Sequence, residues 1–252
     1  MLAIERRRKI ISQLNSSGKV IVAELAKEFD VTEETIRRDL EKLDKEGLAS
    51  KTYGGAVSKN ASALDLPYNV RESVNVEQKQ IIAEKLSSII EDGERLMVDS
   101  SSTALYLIKK LKDKKNLTII TNSVKILLEL ADKPEWVVLS TGGILKKGAL
   151  SLGGSSAEKM INSYHVDTAV ISCKGLDMSV GITDSNENDC LIKQAMLGCA
   201  ERKILALDAE KFDKKSFVRI CEPEAVDIIV TDSEPDVKWQ NFCDKNKIEI
   251  VY

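Results

Sequence analysis

The fold class that this chain predicts is α/β: a small, mostly helical N-terminal domain followed by a larger domain built on a mostly parallel sheet. Three observations lead there. At 252 residues the chain is long for one compact domain and comfortable for a small domain plus one of medium size. Up to residue 57 the apolar residues recur at helical spacing in three short segments that run into an extended stretch broken by a glycine pair. From residue 77 onward, short runs rich in β-branched residues alternate with helical stretches, the pattern of strands buried on both faces and joined by crossover helices.

Ile4, Ile10, Ile11 and Leu14 form the first helical stripe, with Arg6, Arg7, Arg8 and Lys9 crowded at its start and Ser16-Ser17-Gly18 ending it. Lys19, Val20 and Ile21 read as a short extended link. Val22, Leu25, Ala26 and Phe29 make a second short stripe, and Asp30-Val31 turns the chain into a third. In that third helix Ile36, Leu40 and Leu43 stack on one face, while Arg38 and Lys42 point away from it with Thr35 and Arg37 on the flanks. Thr32 is placed to cap it, and Glu33 and Glu34 suit the first turn, where the helix dipole favours carboxylates. Glu46-Gly47 ends the helix with a residue able to adopt the left-handed conformation. The stretch from Leu48 to Val57, carrying Gly54-Gly55, reads as a hairpin.

A short helix, a turn and a cation-bearing helix make a helix-turn-helix, and three helices with a hairpin make a winged helix. The third helix then enters the major groove of double-stranded DNA, with Lys51 and Tyr53 of the hairpin beside the phosphates. Arg6 and Arg7 join the candidate DNA contacts. An ordinary amphipathic helix with a charged outer face is the competing reading of Val31 to Leu43 taken alone.

The segments E-L-A at 24–26, V-T-E-E-T-I-R-R-D-L at 31–40, L-D-K-E-G from Leu43 and Y-G-G-A at 53–56 resemble the N-terminal domain of the DeoR family of bacterial transcriptional regulators. The resemblance implies that Thr32, Thr35, Arg37 and Arg38 are the groove and phosphate residues. Tyr53 stands where that family usually has histidine, and its hydroxyl can still reach a phosphate.

Ser58 to Pro67 is polar, small and without periodicity, so domain boundaries are expected at 1–57 for the winged helix, 58–70 for a linker and 71–252 for the larger domain. In the larger domain a helix is expected over 77–90 and strands over 95–98, 117–120, 136–139, 168–171, 203–207, 227–230 and 248–251. Ligands of such sheets bind beyond the carboxyl ends of the strands. There the chain places Asp99, Ser100, Ser101, Ser102 and Thr103 at the start of a helix, an arrangement suited to an anion. Thr121, Asn122 and Ser123 follow the second strand, and Gly142 and Gly143 the third. A serine-rich helix cap without a ligand is the alternative for the first of these. Lys174 is the cation best placed to meet a phosphate, with Lys193 and Lys211 as weaker candidates, and each lysine alone is more often a solvated surface residue.

These stretches, with S-L-G-G at 151–154, K-G-L-D and G-I-T from Lys174, and L-D-A-E-K-F at 207–212, resemble the C-terminal sensor domain of the same family. The resemblance implies a fold related to ribose-5-phosphate isomerase and a phosphorylated sugar or related metabolite as effector. One departure is Asn188-Asp189-Cys190, where the family commonly shows Glu-Glu-Ala. The function expected is operator binding modulated by that effector, with repression relieved by the effector as the default and a homo-oligomer matching repeated half-sites. The other class considered is a sugar-phosphate isomerase with an accessory DNA-binding domain, for which Asp99, Asp177, Asp184 or Asp208 would supply the acid–base group.

Composition narrows the field further. The single histidine, His165, argues against histidine-dependent hydrolase triads and multi-histidine metal sites. Five cysteines, spaced 17, 9, 22 and 22 apart with no C-x-x-C, read as reduced thiols in or near a core. No metal, cofactor or catalytic residue is therefore expected. No apolar run approaches the roughly 18–20 residues that cross a bilayer, and the first residues lack the apolar core of a secretory signal, so a cytoplasmic protein without membrane contact is expected. The net charge is −3, and residues 1–57 hold eleven Lys plus Arg against ten Asp plus Glu, so DNA affinity must come from where charges point.

Overall fold

The computed structural model describes residues 1–17, 19–57, 67–133 and 135–252; Gly18 and most of the expected linker lie outside the described residues. The chain divides into two compact units, Met1–Asn75 and Val76–Tyr252. The smaller holds α1 (Ala3–Ser17), β1 (Lys19–Ile21), α2 (Val22–Glu28), α3 (Glu33–Lys45), β2 (Ser50–Thr52), β3 (Gly55–Val57) and α4 (Tyr68–Ser73). Its core gathers Ile10, Ile11 and Leu14 of α1, Val22 and Leu25 of α2, and Ile36, Leu40 and Leu43 of α3, so the three expected stripes meet. Ile4 is the exception: one turn too early to reach α2 or α3, it is exposed. Val70 and Val74 pack against the same core, which is why the sequence from Tyr68 onward falls in the smaller unit and adds a helix absent from the expectation.

The local chemistry accounts for both ends of α3. Thr32 Oγ1 accepts from Thr35 N at 3.3 Å. At the other end Gly47 has φ +74°, Gly47 N donates to Asp44 O at 3.0 Å and Leu48 N to Leu43 O at 2.8 Å, the paired bonds of a Schellman cap. The extended link becomes a strand: β3 lies between β1 and β2 in a three-stranded antiparallel sheet. Gly55 is required there, since a Cβ would stand 1.9 Å from Val20 O.

The larger unit runs α5 (Val76–Ile89), β4 (Arg95–Val98), α6 (Ser102–Lys110), β5 (Thr118–Thr121), α7 (Val124–Leu130), β6 (Val137–Ser140), β7 (Ile144–Lys146), β8 (Ser151–Gly153), α8 (Ser155–Ile161), β9 (Val166–Ile171), β10 (Gly175–Asp177), β11 (Gly181–Asp184), α9 (Glu187–Gly198), β12 (Ala200–Ala206), β13 (Val218–Cys221), β14 (Ile228–Val230), α10 (Val237–Asn246) and β15 (Glu249–Val251). Seven strands form one sheet in the order β15-β14-β12-β9-β4-β5-β6, every pair parallel. They are the seven strands expected, shifted by a few residues at most. Met97, Ile120, Ala169, Ile171, Leu205 and Ile229 join the core formed with α8, α9 and α10. The alternate residues Leu96, Val98, Ile119, Val170, Ile204 and Val230 are equally buried, the mark of a sheet covered on both faces.

The glycine-rich stretches expected as turns carry strands of their own. β7 and β8 pair as a hairpin, and β10, β11 and β13 form a small antiparallel sheet. Both connections leave from the carboxyl ends of the main strands. Successive strands step outward from β4 to β5 to β6, after which the chain returns to place β9 on the other side of β4. That reversal makes the ends of β4 and β9 the topological switch point, where open α/β sheets leave a crevice.

Candidate functional site

In the smaller unit, α3 turns its charged face outward: Thr32, Arg37, Arg38 and Lys42 are exposed and Thr35 is half-buried. The hydroxyls of Thr32 and Thr35 lie 2.9 Å apart. Arg37 pairs with Glu33 at 2.7 Å and Arg38 with Glu34 at 3.2 Å, each one turn back along the helix. Lys51 and Tyr53 are exposed on the β2–β3 hairpin, Tyr53 completely so. These residues make one continuous account of a surface that could meet a phosphate backbone.

Arg6 does not belong to it. Its side chain is only 7% exposed, with Nε 2.5 Å from Asp39 Oδ2, and Arg7 Nη1 lies 3.1 Å from Asp39 Oδ1. Asp39 stands three residues beyond Ile36, on the apolar stripe of α3, and a carboxylate buried there needs a cation. Arg6 supplies it from α1, and partly exposed Arg7 shares the load. The first arginine of the run is thus a structural clamp, corrected from a DNA contact, and Asp39 is the residue that the spacing argument overlooked.

In the larger unit the candidate loops converge on the switch point. Asp99, just past β4, is buried; its Oδ1 accepts from Ser101 N at 3.0 Å and its Oδ2 from Ser172 N, just past β9, also at 3.0 Å. Ser101 caps α6 by accepting from Ala104 N at 3.1 Å. The first N–H groups of that helix have no intrahelical acceptor, so the loop of Ser100, Ser102 and Thr103 carries donors suited to an anion. Next to it, Thr121 Oγ1 accepts from Ser123 N and Ser123 Oγ caps α7 through Ile126 N. Asn122 Nδ2 donates to Leu152 O at 3.0 Å.

Lys193 is placed differently from a surface phosphate ligand. It reaches from α9 into the interior, where Nζ donates to Ser172 O at 2.7 Å, lies 3.4 Å from Asp99 Oδ2 and pairs closely with Asp184. Three loops are joined by one ammonium. Lys211 pairs with Asp208, beyond β12, at 3.2 Å and reaches Ser172 Oγ at 3.4 Å. Lys174 is half-buried at the same strand ends. Gly142 and Gly143 both have positive φ, and a Cβ on Gly143 would meet Gly153 O at 2.5 Å, so Gly143 serves the approach of the β7–β8 hairpin. Asp184, Asp208 and Ser172 complete the network. Reading the sequence did not bring them together, because their proximity depends on strand order. Among the described residues no group of histidine, cysteine and carboxylate side chains could hold a metal ion.

The Lys193–Asp184 pair is charged across the physiological range. Burial raises the Asp184 carboxyl, but the charge and hydrogen bond of Lys193 outweigh it and bring the carboxyl down to about 2. Burial lowers Lys193, which the charges of Asp184 and Asp99 more than reverse. Burial beneath these groups pushes the Cys173 thiol up to about 12, which leaves it a neutral core residue. A depressed carboxyl contributes stability that is complete above its unfolded value of 3.8 and is lost as pH falls toward 2. Wild-type protein should therefore lose about 2 kcal/mol through this residue between those values. In urea titrations over pH 2–5, Asp184→Asn should start less stable and vary less; an unchanged slope would remove Asp184 from the ion network.

Residues 6–62 match the DeoR-like helix-turn-helix domain and residues 74–233 the DeoR C-terminal sensor domain. The chain is 40% identical over 251 residues to the HTH-type transcriptional regulator YulB of Bacillus subtilis, covering 100% of this chain and 97% of the relative. It is 31% identical to the L-fucose operon activator of Haemophilus influenzae, covering 98% of each, and 31% identical to the HTH-type transcriptional repressor GlcR of Bacillus subtilis, covering 98% and 95%. Among solved structures, ribose 5-phosphate isomerase A from Methanocaldococcus jannaschii aligns at 16% identity over 56% of each chain, with a TM-score of 0.41. Two matched domains in tandem, and relatives similar from end to end, make this chain a member of the DeoR family of DNA-binding transcriptional regulators.

Proposed function

We propose that the chain represses a carbohydrate operon, and that a phosphorylated sugar or a related metabolite held in the larger unit weakens its grip on the operator. The observation that carries this reading is the exposed face of α3, with Thr32, Thr35, Arg37, Arg38 and Lys42 presented on a unit otherwise closed around its own core. In the proposed complex that face enters the major groove, and Lys51, Tyr53 and the partly exposed Arg7 lie toward the phosphates. The effector's phosphate sits at the start of α6, against Ser100, Ser101, Ser102 and Thr103, with Thr121, Asn122, Ser123 and Gly142 beside it and Lys174 and Lys211 as the neighbouring cations. Lys193 supports the site from below by holding Asp99 and Asp184.

A homo-oligomer in the cytoplasm, reading repeated half-sites, completes the proposal. Among the described residues no helix is long and apolar enough to cross a membrane. Relatives named as an activator and as a repressor are consistent with control of either sign, and release on effector binding is the sign adopted. No turnover is assigned to the site, since Asp99 and Asp184 are both committed to Lys193. Product analysis after incubation with ribose 5-phosphate tests that directly.

The DNA reading is tested by titrating the protein against its own upstream DNA at several salt concentrations. Binding should fall steeply with salt, by about 0.9 in log K per log salt for each phosphate neutralised. Arg38→Ala should weaken it about tenfold while the protein stays folded. Binding indifferent to salt, or an Arg38→Ala protein that binds as wild type does, would remove α3 from the interface.

A further inference from the structure

A cavity of about 270 Å³ opens where the β7–β8 hairpin faces the start of α9, lined by Ile144, Lys146, Ser151, Gly153, Asn188 and Asp189. It adjoins the switch-point network by two routes. Asp189 precedes Lys193 by one turn of α9 and adds to the negative surroundings that keep the lysine charged. On the hairpin side Ser123 bridges to Ser151, and Leu152 N donates to Asn122 O at 2.8 Å. The Asn122 side-chain amide is therefore half used: Nδ2 donates to Leu152 O, while Oδ1 is buried with no hydrogen-bond partner among the described residues.

The lining is neutral overall, with one cation and one carboxylate already paired, and has the polarity to suit hydroxyls. Lys146 Nζ lies 3.2 Å from Asp189 Oδ2, which also accepts from Asn186 Nδ2 at 2.6 Å. A cation and a carboxylate side by side offer a donor and an acceptor at once, the pairing that two neighbouring hydroxyls satisfy by accepting from one and donating to the other. A phosphate pushed into the same space would meet the Asp189 carboxylate at close range in a partly desolvated setting. We propose that this cavity receives the uncharged, hydroxylated end of the effector, that Lys146 and Asp189 bind its hydroxyls, and that Asp189 disfavours a ligand phosphorylated at both ends. The assignment rests on the phosphorylated-sugar reading of the sensor unit.

The test is thermal unfolding of the full chain with inorganic phosphate, with sugar and alditol monophosphates of three to six carbons, and with the matching bisphosphates, for wild type, Asp189→Asn and Lys146→Met. At least one monophosphate should stabilise wild type beyond inorganic phosphate, and its bisphosphate should not. Asp189→Asn should raise the apparent affinity for the bisphosphate about tenfold and Lys146→Met should lower that for the preferred monophosphate about tenfold, with the inorganic phosphate response unchanged in both. Wild type binding a bisphosphate as well as its monophosphate, or both variants keeping the wild-type ranking, overturns the cavity assignment and leaves the effector reading intact. No phosphorylated sugar exceeding inorganic phosphate overturns both. Melting of each variant without ligand confirms its fold.

Discussion

Lys193→Met should lower the stability of the larger unit by about 3–5 kcal/mol, the cost of leaving buried charge without its partner. The ammonium touches Ser172 O, Asp99 and Asp184, three groups drawn from the ends of β9, β4 and β11, and methionine keeps the volume without the charge. In the variant one carboxylate can escape only by taking up a proton, so the loss should shrink as pH is lowered toward 4. Urea denaturation at pH 7 measures the effect, and the melting temperature should fall by about 10 °C. Adding Asp184→Asn to Lys193→Met should recover part of the loss, because the pair is then removed together. A single variant within about 1 kcal/mol of wild type would mean that the network is solvated and does not organise the strand ends.

Asp39→Ala should abolish operator binding from a position that reaches no DNA. Its carboxylate is the acceptor for Arg6 and Arg7, so the substitution strands a buried guanidinium between α1 and α3, again at about 3–5 kcal/mol. A unit of 75 residues has roughly 4–11 kcal/mol in all, so much of its margin disappears. The contrast with Arg38→Ala separates the two roles. Arg38→Ala should lose affinity with its melting profile intact, whereas Asp39→Ala should lose both, read by circular dichroism of the helices beside a binding titration. Full operator affinity in Asp39→Ala would show that α3 is oriented by its apolar face alone.

The main sheet was legible because its strands are short apolar runs flanked by polar turns, with the inner strands buried on both faces. Leu96 to Val98 and Ile228 to Val230, for instance, carry no solvent-facing residue to confuse the pattern. The hairpin β7–β8 and the sheet β10-β11-β13 were not legible, and the backbone says why. Their strands are three or four residues long, and the turns between β6 and α8 hold Gly142, Gly143, Gly148, Leu150 and Gly154 at positive φ, a signature that reads as loop in one dimension. The serine loop after β4 was legible as the start of a helix. What Lys193 does was not, since Asp99 and Asp184 come to it from loops 94 and 9 residues away. Arg6 failed for a related reason. A run of four cations looks like a DNA contact until a buried carboxylate on another helix claims the first of them.

The i,i+4 pairs on α3 bear on how the protein finds its operator. In the free chain Arg37 and Arg38 already pair with Glu33 and Glu34, so in the proposed complex landing on DNA would exchange one oxyanion for another. Each exposed pair would cost only about 0.3–0.5 kcal/mol to open, so the exchange would add little barrier and base edges would supply the preference for one sequence over another. On that reading the two carboxylates keep the arginines aligned along α3 until a nucleic acid takes their place.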